Sequence, residues 1–166
     1  MPTAADILEF EAQFDAALTQ MIAPQLQAYQ IPLVTYHSTQ SALVPRLQAR
    51  FVPGTQDIDR GAIFTAPGSR NTAVAWGGQI IVDLVTRRTV PGEDPRPTLG
   101  LIRSLFLPKN GTLNNTALTY LKVIALDEVA SNRGTWQEGQ EKADISSITY
   151  QIIFGVQDQY ASVLAS

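Results

Sequence analysis

The chain has 166 residues, no cysteine and a net charge of −3, from 12 basic and 15 acidic residues. The lack of cysteine excludes disulfide frameworks, thiolate metal sites and cysteine nucleophiles, and the small net charge makes nucleic acid and anionic membranes poor partners. Charged residues form 16% of the chain, against roughly 25% in an ordinary soluble domain, and a surface poor in charge is typical of subunit contacts.

The N-terminal segment is predicted to form an amphipathic helix over about residues 4–23. Its apolar residues recur every three or four positions: Ile7, Phe10, Phe14, Leu18 and Met21. Thr3 or Asp6 is the expected N-cap, and Pro24 is expected to end or kink the helix. The acidic start is unlike a signal peptide, and no apolar run reaches the length of about 18 residues that a membrane span needs. We therefore expect a protein that is cytosolic when made.

Two short strands are predicted next, over Leu33–His37 and Arg46–Val52. The second strand alternates an apolar set with a polar set: Leu47, Ala49 and Phe51 against Arg46, Gln48 and Arg50. The apolar set is expected to be buried and the polar set to face water. The turn-like residues between the strands favour a hairpin or two neighbouring strands.

A glycine-containing connection follows, from Gly54 to Asn71, in which only Ala62–Phe64 suits a strand. A connection of that length predicts a protruding hairpin arm. The chain then returns as a strand over Ala73–Thr86, which is expected to pair with the strand at 46–52. Its Gly77-Gly78 pair indicates a bulge where the backbone bends or is closely approached.

The C-terminal half is predicted to hold one more helix and two strands. The helix covers Leu99–Leu107, a strand covers Leu118–Val129, and the polar residues 131–142 are predicted as a loop. In the last strand, Asp144–Gln157, apolar residues occupy alternate positions: Ile148, Tyr150, Ile152, Phe154 and Val156. A long strand with one apolar face is typical of the centre of an antiparallel sheet.

This order of elements predicts an α+β fold, a mostly antiparallel β-sheet with two helices packed on one face and a long protruding β-hairpin arm. We expect a single domain over residues 1–166. The sheet and the second helix would occupy residues 31–157, and residues 158–166 would form a short tail.

The residues that could carry chemistry are few. His37 is the only histidine, and because no serine near it sits in a nucleophile motif, a structural role is the better interpretation. Asp57 and Asp59 lack the further oxygen ligands of a calcium loop, and Arg87-Arg88 is interpreted as solvated or salt-bridged. Trp136 either folds back onto the core or anchors a partner. We predict no catalytic, cofactor-binding or metal site and no enzyme activity.

Several segments between residues 43 and 157 share a pattern with a known family. They are 46–51, 75–82, 120–123, 129–131, the acidic stretch 138–141, and 145–154. In their order they resemble tailed-bacteriophage neck and tail-completion proteins of the tail-terminator type, in which a strand hairpin leads into a central strand.

The resemblance implies a non-enzymatic, ring-forming virion protein, commonly a hexamer, that closes the head-proximal end of the tail tube or joins it to the head connector. The expected partners are further copies of the chain, the tail tube protein and the head–tail connector or neck proteins. DNA would only pass through the ring, no membrane is involved, and the protein would act in the virion after assembly in the host cytoplasm. The residues expected at subunit or partner interfaces are Gly54, Gln56, Ile58, Ile63, Phe64, Arg133 and Trp136.

Two other functions stay open. One is a different virion role, such as a head-closure or minor capsid protein. The other is a small-ligand-binding α+β module or an enzyme, whose mark would be a deep pocket that holds His37 with Asp83 or Asp127.

Overall fold

The computed structural model describes residues 1–35, 45–54, 63–64, 73–87, 94–107, 112–138 and 141–164. Its strands are Leu33–Thr35 (β1), Arg46–Pro53 (β2), Ile63–Phe64 (β3), Ala73–Arg87 (β4), Leu121–Glu138 (β5) and Glu141–Val156 (β6). They form a sheet in the order β1-β2-β4-β6-β5, with β3 beside the start of β4. Every pair is antiparallel except β1 with β2. The predicted α+β fold with a mostly antiparallel sheet is confirmed.

The helices are Ala4–Ile7 (α1), Phe10–Leu26 (α2), Pro95–Phe106 (α3) and Ala161–Leu164 (α4). Thr3 caps α1 in a reciprocal capping box with Asp6. The predicted single helix over residues 4–23 is divided into α1 and α2. It does not end at Pro24, because Pro24 lies inside α2; the other expectation, a kink at Pro24, stays a prediction. Proline has no N–H to donate to the preceding turn. The neighbouring side chains of Met21, Ile22 and Leu26 are buried, and their packing offsets the loss of that hydrogen bond.

Both long helices cover one face of the sheet. Phe14 of α2 meets Phe154 edge-on with ring centroids 4.9 Å apart, and Phe106 of α3 stacks on Tyr150 at 4.1 Å. Phe154 and Tyr150 lie on the same face of β6 because they are an even number of residues apart. β6 runs between β4 and β5, which confirms that the last strand is central.

The strands β1 and β2 are neighbours but do not form a hairpin. They are parallel, with Leu33 beside Leu47 and Thr35 beside Ala49, and the predicted end of the first strand at His37 lies outside the described residues. The alternation in β2 holds for Leu47, Ala49 and Phe51, which are buried. Arg46 departs from it, since only 4% of this residue is exposed.

The Gly77-Gly78 pair is not a bulge. The ladders of β4 with β2 and with β6 pass through Gly78 without a shift in register. A Cβ atom at Gly78 would stand 2.5 Å from a ring carbon of Phe51, and one at Gly54 would stand 2.7 Å from the carbonyl oxygen of Gly77. The predicted bulge is therefore wrong, although the close approach of another group, which was predicted with it, is present.

The predicted loop at 131–142 is largely strand. β5 continues to Glu138, and β6 already begins at Glu141. The polar residues of this hairpin are held by the ladder, which pairs Ser131 with Ile148 and runs on to Glu138 with Glu141. In the predicted arm, β3 pairs with β4 through Ile63 beside Val74; residues 55–62 and 65–72 lie outside the described part of the chain. α3 begins at Pro95, earlier than predicted, because Asp94 caps it and Pro95 suits the first helical position.

Candidate subunit interface

β5 forms one long edge of the sheet. It pairs with β6 along its whole length, and no described strand lies along its other side. Consecutive residues from Ser131 to Thr135 are all exposed. The opposite edge is β1, which has only 3 described residues. An edge strand presents unpaired N–H and C=O groups and is a template for pairing with another chain.

Strand β5 has an irregular inner half, residues 121–129, and a regular outer half, residues 130–138. The register against β6 shifts between Val123 and Ala125 and again between Glu128 and Ala130. Val129, the extra residue at the second shift, is 50% exposed. From Ala130 to Glu138 the ladder is regular. The irregular half also carries charges at Lys122, Asp127 and Glu128.

A side-chain contact joins α3 to the middle of β5. Arg103 donates hydrogen bonds from Nη2 to Glu128 Oε1 at 3.1 Å and to Ser131 Oγ at 3.1 Å. The hydrogen bond to Glu128 is the main reason that the pKa of Arg103 is raised, while partial burial acts in the opposite direction. The contact holds the covering helix against the same strand that forms the sheet edge.

Tyr150 lies beneath this contact, opposite Glu128 in the ladder. It is 3% exposed, and its hydroxyl has no hydrogen-bond partner among the described residues. Burial raises the pKa of Tyr150 to about 12, with a further contribution from Glu128, and Arg103 opposes both. The stack on Phe106 therefore anchors α3 through the ring and not through the hydroxyl.

An open pocket of about 300 Å³ lies between the start of α3 and the outer half of the β5–β6 hairpin, lined by Pro95, Arg133, Gly134, Thr135, Asp144 and Ser146. Ser146 is 3% exposed. Hydrogen bonds from Arg96 lower the pKa of the nearby Asp94 to about 2, and the charge of Arg133 adds to the effect. The pocket combines a guanidinium, a carboxylate and hydroxyls, which suits a small polar group.

The structure divides the predicted interface residues into two groups. Gly54 follows β2 directly and donates its N–H to the Gly77 carbonyl at 3.1 Å, and Ile63 and Phe64 pair with the start of β4. Arg133 and Trp136 lie in the outer half of β5, opposite Ser146 and Ala143. Gln56 and Ile58 are outside the described residues.

These groups lie towards opposite ends of the sheet. Gly54 meets β4 at Gly77, whereas Arg133 is level with Leu84, since both are beside Ser146 of β6. The rise of about 3.3 Å per residue in a strand puts roughly 23 Å between these two levels. The predicted residues thus form two separate surfaces.

The residues of the ligand-binding alternative are not gathered into a site within the described chain. Asp83 accepts a hydrogen bond from Ser147, while Asp127 is beside Gln151, farther along β6. His37, Asp57, Asp59 and Arg88 lie outside the described residues. Within the described ranges, no three His, Cys, Asp or Glu residues are grouped to hold a metal ion, and none of the helices is long and apolar enough to cross a membrane.

Sequence reasoning missed the outer half of β5 as a strand. One signal for it was present: Gly139-Gln140 lies between the two strand ends, and a two-residue connection that starts with glycine is typical of a tight β-hairpin. The polar composition of residues 131–138 concealed this signal because it has no apolar period.

Comparisons with known proteins add little to this geometry. No family model matches the chain, and no curated protein matches it. One of the similar solved structures, which carries no functional name, is 12% identical with a TM-score of 0.43, over 87% of this chain and 94% of that one. A likeness at this level bears on no functional question.

Proposed function

We propose that this protein is a non-enzymatic structural protein of a phage virion, a ring-forming tail terminator or neck protein that closes the head-proximal end of the tail tube and joins it to the head connector. The family and its ring come from the sequence resemblance over residues 43 to 157. The observation that carries the assembly part of the proposal is the long edge of β5, which continues past Ser131 as an exposed and regular strand.

The separation of the two groups of predicted interface residues also supports the proposal. In a ring of identical subunits, each copy contacts one neighbour through one surface and the other neighbour through a different surface. Gly54 and β3 lie at one end of β4, and Arg133 and Trp136 are level with the other end. Two surfaces so far apart suit a head-to-tail contact better than a two-fold contact.

The first experiment is to measure the solution mass by light scattering across a concentration series, followed by negative-stain imaging of the largest species. We expect a closed oligomer near six subunits with a central hole. A variant that lacks residues 55 to 68 should remain monomeric under the same conditions. Gly100→Ala serves as the matched control, because a Cβ at this exposed helical position meets no atom within 4 Å, and it should form the same oligomer as the wild type.

The proposal also requires the protein to be part of the particle. Purified virions or tails should contain it at the head-proximal end, which immunogold labelling can locate. A monomer at every concentration that also fails to bind isolated tails or connectors would contradict the proposed function.

A further inference from the structure

We infer that the outer half of β5, residues 130–138, is a docking edge that takes an extended strand from a second copy of this chain. The inference rests on the proposed ring and assigns one of its contact surfaces. It is carried by the β5–β6 ladder, the exposure of residues 131–135 and the placement of the bulges.

Bulges, which prevent strands from pairing edge to edge, are confined to the inner half of β5, residues 121–129. Bulges and charged side chains are the usual means by which an edge is protected. Both register shifts lie before Ala130, and so do Lys122, Asp127 and Glu128. After Ala130 the strand has no bulge and carries only Arg133 and Glu138 as charges. A strand protected over half its length indicates that its other half is covered in the assembled state.

Gly134 is consistent with an external contact. A glycine inside a strand weakens the strand, and it is usual where a bulge or another backbone requires it. Gly134 sits in the regular ladder opposite Ile145, and a Cβ placed there would meet no atom within 4 Å. Nothing among the described residues therefore requires glycine at this position, whereas the close approach of a second chain would.

The edge is large enough for a stable contact. Pairing along residues 130–138 would form about nine backbone hydrogen bonds, close to the roughly ten direct hydrogen bonds of a standard protein interface. The pocket between α3 and the hairpin adds a concave surface next to the strand, with Arg133 and Thr135 among its lining residues. A side chain of the incoming strand can enter it.

A second copy suits this edge better than an unrelated partner. The segment 130–138 has one basic and one acidic residue, so its charge selects neither nucleic acid nor a strongly charged protein. In a ring every subunit has a neighbour, so each copy covers the edge of the next and none is left exposed. Each subunit of the ring then supplies one strand and has one edge covered.

Two proline variants test the hydrogen bonding directly. In a regular antiparallel strand, alternate residues direct both backbone groups to the same neighbour. One of the adjacent residues Gly134 and Thr135 therefore bonds to β6, and the other points to the open edge. Proline removes the donor in each case. We expect one of Gly134→Pro and Thr135→Pro to lower the thermal unfolding midpoint of the monomer. The other should keep the midpoint but weaken association by about tenfold or more.

A charge variant tests the same edge without altering the backbone. Asn132→Lys puts a lysine on the outer half of β5, where lysine opposes pairing. Gln79→Lys is the matched control, because Gln79 is also exposed in the sheet but lies on the interior strand β4. Association should weaken in Asn132→Lys and remain at the wild-type level in Gln79→Lys, as measured by sedimentation velocity.

The outcomes separate this inference from the proposed function. If the wild type forms a ring and both the stable proline variant and Asn132→Lys form it equally well, the docking edge is refuted and the ring stands. If the wild type stays monomeric and does not bind tails, both proposals fail. Loss of association in the edge variants, with Gln79→Lys unaffected, supports the inference.

Discussion

Arg103 and Glu128 join the helix layer to the edge of the sheet, with a guanidinium nitrogen and a carboxylate oxygen 3.1 Å apart. The same guanidinium donates a hydrogen bond to Ser131 of β5. Helix α3 is thereby tied to β5 at the start of its regular half, which continues beside β6 from Ser131 to Glu138.

This ion pair should contribute little to stability. Its side chains are 42% and 36% exposed, so solvent screens the attraction, and pairs of this kind contribute about 0.2 to 1 kcal/mol. A double-mutant cycle with Arg103→Ala and Glu128→Ala, followed by urea unfolding, should give a coupling free energy within that range that decreases as salt is added. A coupling that is insensitive to salt would contradict a screened ion pair.

Gly78→Ala should destabilise the fold. The added methyl group would stand 2.5 Å from the ring of Phe51 and 3.1 Å from the carbonyl oxygen of Val52. Phe51 cannot easily move, because it is 7% exposed and stacks on Phe14 at 4.5 Å. We expect a loss of about 1 to 3 kcal/mol in the free energy of unfolding.

Gly100→Ala is the control for that substitution in urea unfolding. It should increase stability by about 0.5 to 1 kcal/mol, since alanine favours a helix interior. Equal effects at the two glycines would mean that the contact with Phe51 is not the cause.

Tyr150→Phe should maintain or increase stability, because it removes a buried hydroxyl that has no partner among the described residues. An unpaired buried hydroxyl costs roughly 1 kcal/mol or more, and the stack on Phe106 remains. Thermal unfolding at neutral pH measures the effect, with Tyr29→Phe as a control at an exposed tyrosine. A clear loss of stability would show that the hydroxyl is hydrogen-bonded.

Tyr150 should also make the fold less stable at alkaline pH. Burial raises the pKa of Tyr150 to about 12, from about 10 in an unfolded chain, so the folded state holds this proton more tightly. Below pH of about 10 the hydroxyl is protonated in both states and has no effect on the pH dependence. As the pH rises towards about 12, only the unfolded chain loses the proton, so the free energy of unfolding decreases. In Tyr150→Phe the decline over this interval should be shallower than in the wild type.

Pro24→Ala should stabilise the end of α2. Pro24 lies within the helix and is exposed, where proline has no N–H to donate to the preceding turn. The gain is reduced because proline also restricts the unfolded chain, and we expect a net increase of about 1 kcal/mol in the free energy of unfolding. An unchanged urea midpoint would show that this turn already frays in the wild type.

The parts of the fold that bury an apolar face could be predicted from the sequence. β6 and α3 follow the periods of a strand and a helix, because each packs one face against the core. The continuation of α2 past Pro24 could not be predicted, since it depends on how Leu26 packs. The parallel direction of β1 and β2 was equally hidden, because a run of apolar residues does not state the direction of its neighbour.

Only part of the candidate interface could be predicted, because strand order cannot be derived from the apolar pattern. Arg133 and Trp136 could be selected as unusual residues in a polar segment, but their place on an edge strand depends on strand order, which is a property of the whole sheet. The separation of Gly54 from Arg133 likewise follows from the pairing of β4 with β2 and β6. The sequence gives no measure of that distance.

The position of β6 in the sheet has a consequence for synthesis of the chain. β4 pairs with β6 from Ala75 beside Gly155 to Arg87 beside Ala143, and these partners are far apart in sequence. A ribosome therefore exposes β4, with its apolar Ile80, Val82 and Leu84, well before the strand that completes its pairing has been made. Contacts between distant residues form slowly, so β4 remains without its β6 partner until residues 143–155 have been made.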